Sequence, residues 1–507
     1  MKLMKLTVRN YRVLEKCEID VADSLTVIVG KNNTGKTSIA GILGKFLGGS
    51  QRAGSFVYDD LNVHAKQNLF DAVSSSNPDN PAVSISLTVV ISYKDDDSLR
   101  NIRPLLLDLT PTNHYVGVLF TYSMDDDGFS KCKSDYEQYL ASVNKASTPS
   151  TQTLFDRFMG QRFGAYFKRA SVPVYVNEDC IPNNKRCGTE LKDGDLAKII
   201  RFDCVDAFRT VSNKETSSAL GKRISTYYRD FGHTKVEEAS NRLMNSLLEM
   251  DSRLTAIYEE LFQEISDVIK TFGGFQEGDM APHVVSKLSD QDLLSNDTAV
   301  TYQSSDGGIL PESHNGLGYM NLMSIVTDIV AKTGSMRHEA DEVEPAEINI
   351  LFVEEPEAHT HPQLQTIFIR HLKELIENRR HLHDCATVSI QCMLTTHSTH
   401  VVANADFNDM RYLVRQAEGL VAAKNLSDLK AIYDKKEDSR ATYKFIRQYL
   451  TLDRADVFFA DKLLLIEGDT ECILMPSIMK KMDEAHAEST PWVPLLSQEI
   501  SVISVGA

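Results

Sequence analysis

An eight-residue stretch near the amino terminus has the residue types and spacing of a phosphate-binding loop. It runs from Gly30 to Thr37 and reads Gly-Lys-Asn-Asn-Thr-Gly-Lys-Thr. Glycines let backbone N–H groups curl around a polyphosphate, and the first turn of a following helix adds positive partial charge. In this pattern Lys36 reaches the terminal phosphates and the Thr37 hydroxyl ligates Mg2+. The spacing therefore predicts a nucleoside triphosphate site.

The elements on either side of this loop are those that such a site requires. The apolar run 25–29 predicts a strand that enters the loop, and Ser38 to Leu43 begin a helix. An ordinary glycine-rich turn from strand to helix shares part of this pattern, but the full order favours phosphate binding. The residues predicted to contact the nucleotide here are Gly30, Asn32, Asn33, Gly35, Lys36, Thr37 and Ser38.

Two downstream strands end in residues that suit the other half of such a site. The buried run 348–353 leads into Glu354 and Glu355. There Glu354 would hold the magnesium ion, directly or through water, and Glu355 would polarise the attacking water. The run 393–396 ends in His397, which would contact the γ-phosphate. A histidine at a strand end is by itself more often a satisfied structural group.

A third segment offers a second set of backbone N–H groups to an anion. Residues 311–318 precede a predicted helix over 319–326, and the helix opens with a serine and two glycines. This segment resembles a divergent ABC-type signature motif, which acts on the nucleotide bound by an opposite head. Only Ser313, Gly316 and Gly318 support that match.

The carboxy-terminal piece carries a carboxylate at the tip of a strand. Residues 461–466 predict a strand, Glu467 and Gly468 a sharp turn, and the following residues a helix to about Lys481. A further strand is predicted from Ile500 onward. Apolar strands that end in Glu-Gly are common, so this pattern gains weight only from a wider resemblance.

Composition limits the remaining possibilities. The chain has 507 residues, a net charge of −17, 42% hydrophobic residues and eight cysteines without CxxC pairs. No apolar run is long enough to span a membrane and no signal peptide is visible, so we expect a cytoplasmic protein with reduced, mostly buried thiols and no membrane partner. The acidic charge argues against nonspecific DNA attraction. A basic cluster around Arg157, Arg162, Lys168 and Arg169 is either a local phosphate-binding groove or a solvated face.

Residues 238–272 predict one long helix with a single apolar seam. The seam residues recur at spacings of three and four, and Gly273 and Gly274 end the pattern. Two interpretations stay open. The seam either packs on the core of its own chain, or forms an arm that dimerises or pairs with residues 213–231.

Two segments resemble the ATPase heads of the overcoming-lysogenization-defect (OLD) nuclease family. They are Glu-Glu-Pro-Glu-Ala-His-Thr-His-Pro-Gln at 354–363 and Thr-His-Ser at 396–398. RecF and SMC ATPases are relatives of these heads. The resemblance implies an ABC-type ATP site with Arg12, in the motif Asn-Tyr-Arg, near the nucleotide. It makes His361 part of a loop between heads rather than a metal ligand with His359. It also implies a fused Toprim domain in which Glu467 binds Mg2+, or Mn2+, for DNA cleavage, and a role in bacterial defence against phage.

These observations predict an α/β protein made of an ABC-type (RecF/SMC-like) P-loop head with an inserted helical dimerisation arm, followed by a partial Toprim domain. The expected boundaries are 1–210 and 276–455 for the two parts of the head, 211–275 for the arm and 456–507 for the Toprim piece. The expected partners are a second copy of the chain and DNA, with a second defence protein as a further option. Because no Asp-x-Asp pair follows Glu467, the alternative is an ATP-gated scaffold or sensor that regulates a separate effector. A repair ATPase of the RecF or SMC kind is a third, weaker option, because a Toprim-like tail is foreign to those families.

Overall fold

A computed structural model describes most of the chain as two compact units. The described residues are 1–48, 55–75, 80–108, 110–142, 150–183, 187–206, 237–273, 281–286, 298–303, 309–311, 317–337, 344–358, 360–380, 388–416, 420–434, 440–450, 455–486 and 492–504. The first unit comprises Met1–Val205, Lys332–Glu355 and Leu372–Ala507, and the second comprises Asp206–Ala331 and Pro356–His371. The boundaries predicted for the arm and for the Toprim piece remain predictions.

Both units contain strands and helices. Up to residue 206 the elements are β1 Lys2–Tyr11, β2 Leu14–Asp20, β3 Leu25–Gly30, α1 Lys36–Leu47, α2 Val63–Ser74, β4 Ser84–Ser92, β5 Tyr115–Met124, α3 Asp126–Ser142, α4 Thr151–Arg162, β6 Phe167–Val174, α5 Asp193–Ile199 and β7 Ile200–Val205. From residue 237 onward they are α6 Glu237–Thr271, β8 Ala281–Ser286, β9 Thr298–Gln303, β10 Ile309–Pro311, α7 Leu317–Met336, β11 Ile348–Glu354, α8 Pro362–Arg379, β12 Ile390–Thr396, α9 Thr399–Asn404, β13 Met410–Arg415, β14 Val421–Asn425, α10 Asp428–Asp434, α11 Arg440–Gln448, β15 Lys462–Ile466, α12 Asp469–Ala485 and β16 Ile500–Ser504.

The central sheet of the first unit contains the strands predicted to frame the nucleotide. Among the described strands its order is β14-β13-β3-β12-β11-β7, and every neighbouring pair except β13 and β14 is parallel. Strands β3 and β12 are buried along their whole length, as expected for central strands of a parallel sheet covered on both faces. Because parallel strands end at the same edge, the residues after β3, β11 and β12 meet there.

The second sheet of this unit is antiparallel, with the described order β2-β1-β4-β5-β6. Strands β5 and β6 lie between residues 100 and 210, where the periodicity of the sequence is mixed and predicts no clear element. Helix α1 packs its buried residues Ile39, Ile42 and Phe46 among strands of both sheets. The Phe46 ring lies 5.7 Å from the ring of Phe120 on β5. The helix that follows the phosphate loop is therefore fixed from both sides.

Gln391 ties the two sheets together through its buried amide. It lies on β12, and its Oε1 accepts a hydrogen bond of 2.6 Å from the backbone N–H of Leu3 on β1. Its Nε2 donates to the carbonyls of Leu3 at 3.0 Å and Ala22 at 2.9 Å. The side chain is 1% exposed, so the amide has no water to replace these partners.

The second unit contains the long helix expected from residues 238–272, observed as α6 over Glu237–Thr271. Near its carboxyl end, Ile269 and Phe272 are buried, and the Phe272 ring lies 5.5 Å from that of Phe368 on α8. Further along the seam, Met250, Ile257 and Leu261 are 51 to 67% exposed. Among the seam residues whose side chains the structure describes, burial within the chain is thus confined to the carboxyl end of the helix. The proposed pairing segment 213–231 lies outside the described residues.

The remaining described strands of the second unit, β8 to β10, form a small antiparallel sheet. In the first unit, β15 and β16 pair in parallel, and α12 connects them. Among the helices that the structure describes, none combines the length and apolar character needed to cross a bilayer.

The described cysteines are all free thiols. Cys17, Cys132, Cys204 and Cys392 are buried, as expected for small apolar side chains. The same interpretation is wrong for Cys472, which is exposed on α12. Cys385 lies outside the described residues.

Candidate functional site

The loop between β3 and α1 has the backbone shape of an anion cradle. Gly35 caps α1 with φ of 91°, and Asn33 has φ of 60°. A Cβ on Gly35 would lie 2.7 Å from a methyl carbon of Leu14, and a Cβ on Gly30 would lie 2.8 Å from Thr34 Oγ1. Both glycines are therefore required by close contacts, and Gly35 also by its positive φ.

Lys36 lies inside this cradle. Its side chain is almost fully buried, and its Nζ donates to the carbonyls of Gly30 at 2.6 Å and Lys31 at 2.7 Å. The Thr34 hydroxyl donates to the same Lys31 carbonyl at 2.8 Å. No acidic residue occupies the first turn of α1, so a cation and a helix N-terminus face the loop together, which favours bound phosphate.

The other predicted loop residues are arranged around this cation. Asn32, Asn33 and Thr37 are exposed, whereas Ser38 is buried in the first turn of α1. The Thr37 hydroxyl is therefore open to solvent at the start of the helix, where a magnesium ligand is expected.

Glu355 and His397 meet at the ends of neighbouring strands. Strands β11 and β12 pair so that Glu354 lies opposite Thr395. The backbone N–H of Glu355 donates to the Thr395 carbonyl at 3.1 Å, and Glu355 Oε1 lies 3.6 Å from His397 Nδ1. Both side chains remain partly exposed, at 29% and 44%. The structure thus brings together the two residues predicted to act on the attacking water and the γ-phosphate.

Glu355 has a strained backbone. Its φ is +37°, a region that residues with a Cβ rarely adopt. The bonds from its N–H to Thr395 hold this conformation. Such strain persists only where surrounding structure imposes it, and it clusters at functional sites.

The oxygen donors Thr37 and Glu354 fit the chemistry of magnesium. Thr37 follows the loop after β3, and Glu354 ends β11, with β12 between these two strands. Carboxylate and hydroxyl oxygens are the ligands that Mg2+ prefers. Both residues come from the same edge of the sheet, as a shared ion requires.

Arg12 lies over α1. A Cβ built on Gly41 of this helix would be 3.8 Å from Arg12 Nη1 and 2.9 Å from the Tyr11 hydroxyl oxygen. The arginine is therefore close to the helix that begins at the phosphate loop.

The described part of the first unit does not include three of the predicted residues. Ser313 and Gly316 lie outside the described residues, and Gly318 lies in the first turn of α7 in the second unit. His359 is also outside them. The role of the Ser313 loop therefore remains a prediction.

The basic cluster is matched by partners within the first unit. Arg162 lies 3.9 Å from Asp135, Lys168 forms an ion pair of 2.7 Å with Asp125, and Arg169 donates to the Phe46 carbonyl. This pairing favours a solvated face over a phosphate-binding groove.

The carboxy-terminal strand ends as predicted. β15 is followed by Glu467, whose side chain is exposed, and α12 begins at Asp469. The Gly468 N–H donates to Glu471 Oε2 at 3.1 Å, and the Ser504 hydroxyl at the end of β16 donates to the Glu467 carbonyl at 3.4 Å. Glu467 is thus presented at the tip of a parallel strand pair.

The phosphate loop contacts this carboxy-terminal piece. Lys31 Nζ forms an ion pair with Asp461, the residue before β15. A cavity of about 410 Å³ beside this ion pair is lined by Lys31, Asn32 and His397 of the head and by Asp456 and Glu499 of the carboxy-terminal piece. Neither Lys31 nor Asp461 was a predicted site residue, and no sequence pattern marks the pair.

The loop, the parallel sheet and the Glu355–His397 pair together define a P-loop ATPase head. Residues 1–402 match the family described as AAA ATPase domain. Residues 458–507 match the overcoming lysogenization defect protein-like Toprim domain. The chain therefore belongs to the AAA ATPase domain family, and the fused Toprim piece makes it a member of the OLD family. The predicted family and fold class are confirmed.

Two relatives share this organisation along most of the chain. Endonuclease GajA of Bacillus cereus (strain HuB5-5) is 24% identical over 482 residues, which cover 91% of this chain and 65% of that protein. Old nuclease of Escherichia phage P2 is 18% identical over 486 residues, covering 95% of this chain and 70% of that protein. The chain thus spans about two thirds of the length of the curated relatives it matches.

Solved SMC heads are more remote. The SMC head domain from Thermotoga maritima covers 84% of this chain and 99% of its own, at 13% identity and a TM-score of 0.37. An Smc head bound to the C-winged helix domain of ScpA covers 85% of this chain and 99% of its own, at 14% identity and a TM-score of 0.40.

Proposed function

We propose that this chain binds and hydrolyses ATP in its head, and that the nucleotide state of the head controls metal-dependent DNA cleavage by its Toprim domain. The family match and the nuclease names of both relatives support this proposal. By the same likeness to OLD proteins, we place the chain in the bacterial cytoplasm, in defence against phage.

In the head, each predicted residue has a task that its position allows. Lys36 and the N-terminus of α1 bind the phosphates, while Thr37 and Glu354 hold Mg2+. Bound Mg2+ would neutralise charge on the phosphates during transfer. Glu355 accepts a proton from the attacking water, and His397, 3.6 Å from the Glu355 carboxylate, donates to the γ-phosphate. The strained backbone of Glu355 fixes the direction of its carboxylate.

A second copy of the chain would complete the site. The loop of Ser313, Gly316 and Gly318 would approach the nucleotide of the opposite head. The exposed apolar residues Met250, Ile257 and Leu261 on α6 suit a contact between two arms, because an exposed seam of this kind gains stability when a partner helix covers it.

The ion pair between Lys31 and Asp461 is the observation that supports control of the Toprim domain by the ATPase head. It joins the phosphate loop to the residue before β15, and Glu467 directly follows the last residue of β15. Bound phosphates would compete with Asp461 for the Lys31 ammonium. A change of nucleotide state then alters the ion pair of Asp461, at the start of the strand that leads to the metal ligand Glu467.

In the Toprim domain, Glu467 would bind Mg2+ or Mn2+ and serve the cleavage of phosphodiester bonds. Its position at a strand tip, exposed and next to a glycine, suits a hard cation that retains water ligands.

The first test is plasmid cleavage by the 507-residue chain with Mg2+ or Mn2+, with and without ATP. Glu467→Ala should abolish cleavage and leave ATP binding intact, and Lys36→Ala should abolish ATP binding. Cleavage that survives Glu467→Ala contradicts the nuclease assignment. A chain that binds and hydrolyses ATP but never cleaves DNA supports the alternative, a scaffold or sensor acting on a separate effector or defence protein.

The second test addresses the link. Asp461→Asn should bring the ratio of cleavage rates with and without ATP towards one, and should tighten ATP binding because Lys31 loses its competing anion. Asp456→Asn is the matched control, because Asp456 is an aspartate of the same carboxy-terminal piece that lines the cavity beside Lys31 and is not ion-paired with Lys31 in the described structure. An unchanged ATP response in Asp461→Asn would refute the link.

A further inference from the structure

The turn that carries Arg12 is held in an unfavourable conformation. It connects β1 to β2, and both Asn10 and Arg12 have positive φ, 55° and 51°. Asparagine tolerates this region, but arginine does so much less readily. The conformation must therefore be imposed by neighbouring structure.

The segment from Asp60 to Asn62 imposes it through backbone hydrogen bonds. The Arg12 N–H donates to the Asp60 carbonyl at 2.8 Å, and the Asn62 N–H donates to the Asn10 carbonyl at 3.1 Å. The Asn62 side-chain amide donates to the Arg12 carbonyl at 2.7 Å. Asn62 is itself fixed, because its Oδ1 caps α2 by accepting from the His64 N–H.

Asp60 also holds the Arg12 side chain. The aspartate is 1% exposed, and its Oδ1 accepts from Arg12 Nε at 3.0 Å. Its Oδ2 accepts from Lys45 Nζ at 2.6 Å and from the Val57 N–H at 3.0 Å. Burial alone would raise the pKa of Asp60, but these donors outweigh burial and lower it. The carboxylate is therefore ionised, and each of its oxygens accepts at least one hydrogen bond.

This contact leaves the outer edge of the guanidinium available. Asp60 binds Nε, and in the described structure neither Nη group donates a hydrogen bond to protein. The Arg12 side chain is 42% exposed, and its Cζ lies 5.1 Å from the centre of the Tyr11 ring. With Nη1 close to Gly41 on α1, the free edge lies beside the helix of the phosphate loop.

We propose that Asp60 is a positioning residue for the ATPase, which fixes Arg12 so that its two Nη groups face the phosphates of the nucleotide. This inference rests on the proposed function, since it takes the loop to bind ATP and Arg12 to contact it. Asp60 does not touch the nucleotide. It acts by holding a flexible side chain in one orientation, so that less conformational entropy is lost when ATP binds.

The test is a double-mutant cycle on the full chain, with MgATP binding measured by calorimetry. Arg12→Ala and Asp60→Asn should each weaken ATP binding by on the order of tenfold, as expected for one hydrogen bond to a charged group. The double variant should be no weaker than Arg12→Ala alone, because both changes remove the same interaction. Lys45→Met is the matched control: it removes the other cation from the same carboxylate and should leave ATP affinity within about twofold.

The outcomes separate the two proposals. The positioning role is overturned if the losses of ATP affinity in the two single variants multiply in the double variant. It is also overturned if Asp60→Asn binds ATP with normal affinity while Arg12→Ala binds it more weakly. A Lys45→Met variant as weak as Asp60→Asn would also overturn it, because general loosening of the network would then explain the loss. If Arg12→Ala binds ATP with normal affinity, Arg12 does not contact the nucleotide and this inference is wrong. Loss of ATP binding in Lys36→Ala would still support the proposed ATP site. Thermal unfolding of every variant checks that each is folded.

Discussion

The positive φ of Glu355 makes a prediction that reverses an ordinary rule of protein stability. At most positions alanine is more stabilising than glycine, because glycine loses more backbone freedom on folding. At Glu355, with φ of +37°, the Cβ of alanine is disfavoured and glycine is not. The Glu355→Gly variant should therefore be more stable than Glu355→Ala.

The size of the difference follows from two opposing terms. A Cβ in the left-handed region costs about 1–2 kcal/mol. The greater freedom of glycine in the unfolded chain costs about 0.5–1 kcal/mol. The net advantage of Gly over Ala should be about 1 kcal/mol. Both variants keep the backbone N–H that donates to Thr395 and both lose the contact with His397, so those terms cancel.

The measurement is thermal unfolding of the two variants side by side. An advantage of about 1 kcal/mol corresponds to roughly 2 °C in the unfolding midpoint for a unit of this size. The same pair of changes at Glu190, an exposed loop residue outside the positive-φ set, is the control and should favour alanine. An alanine variant at Glu355 that unfolds at the same or a higher temperature than the glycine variant refutes the reasoning. Both variants should hydrolyse ATP at least about a hundredfold more slowly while still binding it.

Three further predictions follow from contacts described above. Gly35→Ala should destabilise the chain by about 3 kcal/mol and weaken ATP binding, since its Cβ would combine φ of 91° with a 2.7 Å approach to a leucine methyl carbon; wild-type unfolding and affinity would contradict this. Gln391→Leu should cost about 3 kcal/mol, because three hydrogen bonds to Leu3 and Ala22 are lost at about 1 kcal/mol each, and an unchanged urea midpoint would count against it. Because Asp60 has a lowered pKa, its contribution to stability is complete above its ordinary pKa of about 4 and is lost as the pH falls below that value. Asp60→Asn should therefore show a smaller loss of stability than wild type in acid unfolding between about pH 4 and pH 2, and parallel curves would refute the assignment.

The sequence predicts the parts of this molecule in which local pattern and final structure agree. The run before Gly30 is apolar because β3 is buried on both faces, and the loop after it has glycine where Gly35 needs positive φ. The seam of α6 is visible because its apolar residues recur with the period of a helix. The position of Glu467 at a strand tip is predicted because a strand, a glycine turn and a helix follow one another within a few residues.

Other features depend on partners far away in the chain and leave no local pattern. Asp60 holds Arg12 from 48 residues downstream, and arginine is not a residue that signals positive φ. The Lys31–Asp461 pair joins residues 430 positions apart. The strands between 100 and 210 are not predicted by local periodicity, because their pairing, such as β5 with β6, is set by long-range register rather than by alternation within each strand.

The position of β3 in its sheet has a consequence for synthesis of the chain. Its two neighbours, β12 and β13, begin at residues 390 and 410, so about 360 residues must be made after β3 before its first partner exists. At translation rates of about 5–20 residues per second this takes roughly 20–70 s. Throughout that time an apolar strand with two open edges is exposed to aggregation.

Early folding of the nascent chain can reduce this risk of aggregation only in part. The antiparallel strands β1, β2 and β4 are complete within the first 92 residues and can begin to cover α1 early. ATP cannot help at that point, because β12 and β13, the two strands that flank β3 and its phosphate loop in the sheet, have not yet been made. Nucleotide can therefore act as a folding ligand only after about four fifths of the 507 residues have left the ribosome, and expression in cells should depend on chaperones more than on nucleotide supply.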